Sequence, residues 1–258
     1  MEVITLDENK NSVERKGDFS FPDVFACMSK AEQEERERYI REQEEKAERE
    51  SRIVAFRHCG IGELYWDCDL HNFKTEYPMQ EKMLVSARKY FNNVIHGQAS
   101  NLVLLGGAGR GKTTLAVGLL KQFTLTIKEV LFGLNQYYTI LYITSKDLCD
   151  MLQKTQSFSY GKSWDKILND FAFYDVVVID EVRKATVKNE FECLFSFFDK
   201  RMQNKKSSIV CSNLTYEEFN TNMSDYGMSR LNINGNLITV NVEGIPDLRQ
   251  QKTIDKVN

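Results

Sequence analysis

The run Gly106-Gly107-Ala108-Gly109-Arg110-Gly111-Lys112-Thr113 constrains the fold of this 258-residue chain more than any other stretch. It fits GxxxxGK[ST] and lies between a short apolar segment, 101–105, and a segment with helical character, 113–123. Glycines let the backbone take positive φ and bring its N–H groups close to an anion. The helix that follows points its positive end at the same place. Such a cradle needs a buried strand before it and a helix N-terminus after it, so a strand–loop–helix unit is expected here. Lys112 is then placed to reach the β- and γ-phosphates of a nucleotide, and Thr113 to hold Mg²⁺ through its hydroxyl.

A second half of the site is legible some 70 residues on, in Val176-Val177-Val178-Ile179-Asp180-Glu181. An apolar strand that ends in two carboxylates presents them where open α/β sheets bind ligands, at the strands' carboxyl ends. Asp180 is the expected partner of Mg²⁺, and Glu181 the expected base that polarises an attacking water. No NKxD guanine-reading tetrad and no LSGGQ-like signature occurs, so the nucleotide expected is ATP. Around these segments apolar patterns alternate. Helices are expected over 79–94, 146–154 and 190–202, and strands over 139–144, 174–180, 208–212 and 237–242. The fold class expected is α/β: a largely parallel sheet with helices on both faces.

The N-terminal region differs. Residues 1–28 are polar around one apolar knot, Phe19 to Phe25, which reads either as a docking motif or as a strap on its own domain. From Ala31 to Arg52, 15 of 22 residues are charged, without Gly or Pro, and opposite charges recur at i,i+4 (Glu32–Arg36, Glu34–Arg38, Glu42–Lys46, Glu45–Arg49). This pattern makes a solvated helix, either without a partner or serving as an arm for one. The boundary between arm and catalytic domain is expected at residue 56/57. A net charge of −3 excludes a chain that coats itself in nucleic acid, so any DNA contact has to be local. No apolar run is long enough to span a bilayer, and the leader lacks an apolar secretory core. The six cysteines form no CxxC pair, and Cys149, Cys193 and Cys211 sit in apolar stretches, as thiols do in a reducing cytosol. His58, Cys59, Cys68 and His71 cluster, but His58 and Cys59 are adjacent, which is awkward for shared tetrahedral zinc ligation.

Several longer segments carry a resemblance: "GIGELYWDCDLHNF", "QEKMLVSARKYF", "GGAGRGKTT", "YITSKDL", "ILNDFAFYDVVVIDE", "FDKRMQNKKSSIVCSNLT" and "MSRL". From about residue 57 to 249 the chain resembles the DnaC-type replicative helicase loaders of the AAA+ superfamily, which share a core with IstB-type transposition ATPases and DnaA initiators. The resemblance implies an AAA+ P-loop core behind a charged helical arm, with Gly106 through Thr113 and Thr114 on the nucleotide. It implies that Asn213 is a polar sensor beside the phosphate. It implies that Arg230 is an arginine finger for a neighbouring subunit, where a surface salt bridge is the other reading. Arg249 is implied to be a second sensor. Pore segments that grip single-stranded DNA match 156–162 and 184–191, with Phe158, Tyr160, Lys162 and Lys188 as the candidates; aromatics folded back on the domain are the alternative. Lys200, Arg201, Lys205 and Lys206 are further candidates for phosphate contacts, where a basic helix end set by the helix dipole is the other reading. The implied partners are a DnaB-type replicative helicase, single-stranded DNA and copies of the chain in a ring or spiral. The setting is the bacterial cytoplasm, on behalf of the host or a phage. The alternative is an IstB-like transposition ATPase that acts on duplex DNA and a transposase. Residues 125–138 exceed the usual link and are expected to be an extended helix or a surface insertion.

Overall fold

A computed structural model describes residues 29–129, 135–155, 163–183 and 190–249. The chain divides into two compact units, residues 1–48 and 49–258. Helix α1 (Lys30–Arg57) crosses that division. It begins on a reciprocal cap, in which Ser29 N–H donates to Glu32 Oε2 and Glu32 N–H to Ser29 Oγ. Its 30–48 portion is exposed at nearly every position, as its charge pattern requires. Phe56, by contrast, is wholly buried in the core of the second unit.

That unit holds α2 (Pro78–Ile95), β1 (Asn101–Leu105), α3 (Lys112–Thr124), β2 (Ile127–Glu129), β3 (Asn135–Tyr137), β4 (Ile140–Thr144), α4 (Ser145–Lys154), α5 (Trp164–Ala172), β5 (Val176–Val182), α6 (Glu190–Gln203), β6 (Ser207–Ser212), α7 (Tyr216–Leu231) and β7 (Leu237–Asn241). The main sheet is five-stranded in the order β4-β5-β6-β1-β7, and every pairing in it is parallel. Strand alternation sorts the core into two layers. Leu102, Leu104, Val176, Val178, Ile209 and Cys211 face the layer built on α2 and α3. Val103, Leu105, Val177, Ile179 and Val210 face the layer built on α4 to α7. Helices therefore cover both faces, which is why β1 and β5 read as continuous apolar runs.

Within the 125–138 stretch the described residues form no longer helix: α3 ends at Thr124, and β2 pairs antiparallel with β3, apart from the main sheet. One basic candidate is corrected. Arg201 is 1 % exposed and donates to Ser208 Oγ and to the carbonyls of Phe171, Tyr174, Asp175 and Ser207. It ties α6 to the α5–β5 turn and has no access to a DNA phosphate. Lys206 is partly buried and bonds Asp175 at 2.7 Å. Among the described residues no group of side chains could hold a zinc ion; Cys59 is buried in the core. The five cysteines among the described residues are free thiols, and Cys149, Cys193 and Cys211 are buried as expected. No helix of the described residues is long and apolar enough to cross a membrane.

Candidate nucleotide-binding site

The loop between β1 and α3 takes positive φ at Gly106 (121°), Gly109 (73°) and Gly111 (86°). Gly111 is the N-cap of α3 and no side chain caps that helix, so its first N–H groups remain directed into the loop. Ala108 lies in the turn, and Arg110 folds its guanidinium back over Gly107. Lys112 opens α3. Its ammonium uses its three donors on Gly106 O (2.5 Å), Gly107 O (2.7 Å) and Asn213 Oδ1 (2.9 Å). Asn213 directly follows β6, so this last bond joins two segments 101 residues apart. Burial pulls the Lys112 ammonium below its ordinary value; the negative field of Asp180 works against that.

Thr113, one residue on, donates its hydroxyl to Asp180 Oδ2 at 2.8 Å. The glycine loop and the acidic strand thus close on one crevice. Asp180 is 4 % exposed. Its Oδ2 also accepts Tyr142 O–H at 2.6 Å, and its Oδ1 accepts Glu181 N–H at 2.6 Å. The backbone explains this placement. Against β6, β5 carries one extra residue between Ile179 and Val182, a β-bulge that ends regular pairing at the two acids. Glu181 sits in it at φ 57°, an uncommon conformation for a residue with a side chain, and aims its carboxylate outward to Arg183 at 2.7 Å. One carboxylate is locked in the crevice and the other is exposed, paired with Arg183. Two hard oxygen donors, the Thr113 hydroxyl and the Asp180 carboxylate, suit Mg²⁺.

The remaining site residues fall around this core. Thr114 lies in the first turn of α3, partly buried. Arg249 bonds Asp247 through its backbone N–H, and its charge bears on Lys112 and Tyr65 alike, which brings the end of the described chain to the crevice. Leu248 N–H donates to Gly109 O at 3.1 Å and secures that segment to the loop. Arg230 stands elsewhere, near the end of α7, bonded to Asp199 at 3.2 Å and stacked 3.3 Å over the Tyr226 ring. Phe158, Tyr160, Lys162 and Lys188 lie outside the described residues. Sequence reading missed Tyr142, Tyr65 and Asp247. A tyrosine in an apolar strand reads as core, and its hydroxyl partner is visible only once β4 lies beside β5. Burial, followed by the Asp180 charge, pushes both phenols above their ordinary value and keeps them protonated.

The profile described as IstB-like ATP binding protein matches residues 31–234. The chain belongs to that family. It is 28% identical over 195 residues to the replicative helicase loader DnaC of Escherichia coli strain K12, covering 74% of this chain and 75% of that one. The crystal structure of the DnaC helicase loader superposes with a TM-score of 0.56 at 20% identity, over 70% of this chain and all of that one. The replication initiator DnaA bound to AMPPCP and single-stranded DNA gives 0.53 at 14% identity, over 75% of this chain and 56% of that one. The α/β fold expected from sequence is the AAA+ core of these IstB/DnaC-type proteins.

Proposed function

We propose that this IstB/DnaC-type protein is an ATPase that loads or remodels a replicative DNA helicase on single-stranded DNA. The observation that carries the reading is the 2.8 Å bond between Thr113 and Asp180, which joins the phosphate loop to the acidic strand. Around ATP, the loop N–H groups and Lys112 would hold the phosphates, and Thr113 and Asp180 would hold Mg²⁺. Bound Mg²⁺ supplies neutralisation of the charge on the transferring phosphoryl group. Glu181, exposed and held apart from the buried Asp180, would orient the attacking water and accept its proton. Asn213, already bonded to Lys112, would assist from the strand tip. Arg249 would sense the nucleotide of its own subunit, and Arg230 that of a neighbour in a ring or spiral.

Residues 1–56 are proposed as the arm that meets a DnaB-type helicase, and 57–258 as the ATPase domain. Similarity to a replicative helicase loader over three quarters of both chains supports the helicase as partner, in the cytoplasm of a bacterium. The test combines a replicative helicase, single-stranded DNA and ATP. Wild type is expected to retain helicase in a nucleotide-dependent way and to hydrolyse ATP faster with DNA present. Glu181→Gln is expected to bind ATP and lose turnover by at least about a hundredfold. Strong duplex preference without helicase binding would favour transposition; normal turnover in Glu181→Gln would remove Glu181 as the base.

A further inference from the structure

The bulge that frees Glu181 leaves Asp180 with a particular need. Pairing of β5 with β6 lapses after Ile179, so on that side no ladder bond holds the backbone that carries the carboxylate. Its direction depends on what its oxygens touch. Oδ1 is held by the N–H of the next residue. Oδ2 is held by two hydroxyls, Thr113 at 2.8 Å and Tyr142 at 2.6 Å. Thr113 is itself expected at the metal, which leaves Tyr142 as the group whose contact with the carboxylate serves orientation alone.

Tyr142 is built for that task. It pairs with Val178, two residues before Asp180 on the neighbouring strand, so its ring lies on the same face of the sheet and reaches Asp180 along the diagonal. β4 is the edge of the sheet, where a backbone would otherwise be loosely held. Here the Tyr142 N–H donates to Cys59 O at 2.8 Å, just beyond the end of α1. Gly60 lies flat on the Tyr142 carbonyl, so closely that a methyl there would sit 2.2 Å from the oxygen. The segment 59–60 and β5 therefore clamp the strand from both sides.

We infer that Tyr142 is a positioning residue that orients the Asp180 carboxylate for a divalent cation bound with the nucleotide. The inference rests on the reading of the crevice as a Mg²⁺–ATP site. Groups that orient metal-binding carboxylates typically change metal affinity tenfold or more when removed.

The experiment measures the affinity of a fluorescent ATP analogue with Mg²⁺ and with EDTA, and takes the ratio as the gain the metal brings. Tyr142→Phe keeps the ring and removes the hydroxyl; the ratio is expected to fall about tenfold. Because Tyr142 acts through Asp180, the same change made in Asp180→Asn is expected to have no further effect on the ratio. A ratio within about twofold of wild type, or an equal loss in the Asp180→Asn background, overturns the assignment. So does a Tyr142→Phe protein that has lost its near-UV circular dichroism, since Tyr142 would then be a packing group. A wild type whose affinity does not respond to Mg²⁺ would instead refute the site reading itself.

Discussion

Gly109→Ala tests the contact between the phosphate loop and the end of the described chain. A methyl at this position would lie 1.8 Å from Asp247 Oδ1, 2.4 Å from its Cγ and 3.0 Å from its Oδ2. The whole carboxylate is struck, and Asp is too short to move aside without rotating about its first side-chain bond. That rotation breaks the 3.0 Å bond from Arg249 N–H to Oδ1, an exposed charge-assisted bond of about 1–2 kcal/mol. Alanine must also hold φ near 73°, in the left-handed region, at about 1 kcal/mol. The cost is about 2–3 kcal/mol, a drop in melting temperature of roughly 5–10 °C for a domain of this size. Urea denaturation followed by circular dichroism reads the stability, and equilibrium dialysis reads ATP affinity, which is expected to fall as Arg249 is displaced. In an Asp247→Ala background the clash is gone and only the backbone cost remains, about 1 kcal/mol. Equal costs of Gly109→Ala in both backgrounds would show that the loop does not rest on Asp247.

Two further outcomes follow from the charged groups. Arg230→Ala removes a partly exposed pair with Asp199, so stability is expected to change by no more than about 1 kcal/mol; if Arg230 serves a neighbour's site, inactive Arg230→Ala subunits mixed with wild type should depress turnover more than dilution does, and simple dilution would refute that role. Asp175 is buried, which alone would raise its pKa, but its bonds to Lys128, Lys206 and the Thr139 N–H hold it down at about 2, against an ordinary 3.8. A carboxylate depressed in the folded state contributes stability above its unfolded pKa and loses it as pH falls through the folded one. Asp175→Asn is therefore expected to cost about 2 kcal/mol at pH 7, with the deficit shrinking below about pH 4; a deficit unchanged down to about pH 2.5 in urea titrations would rule out the ion pairs as its source.

The elements legible in the chain were those whose pattern is local. Strand β1 and helices α2, α3, α4 and α6 lie within a residue or two of where periodicity sets them, because a buried strand and a one-sided helix each leave a regular apolar imprint. α5 and α7 escaped that reading. α5 has nine residues, and α7 is interrupted at Ser224, whose φ of 53° breaks the helical repeat. β5 runs two residues later than the expected 174–180: Asp175 is occupied by two lysines outside the ladder, and the bulge carries the strand on to Val182. Arg201 shows the limit of composition. A basic helix end looks like a surface for phosphates, yet five bonds to side-chain and backbone oxygens make it an interior group.

By itself the chain determined its chemistry: a glycine loop that can accept positive φ, a lysine and a threonine at its end, and an apolar strand that stops in two acids. These properties belong to single residues and their neighbours, so they can be read without a fold. Only the tertiary structure decided which of the two acids is buried and which is exposed, that Asn213 meets Lys112, and that Tyr142 holds Asp180. Each of those pairings joins segments 38 to 101 residues apart or turns on a bulge in the ladder, and it exists only because parallel strands bring their carboxyl ends to one edge.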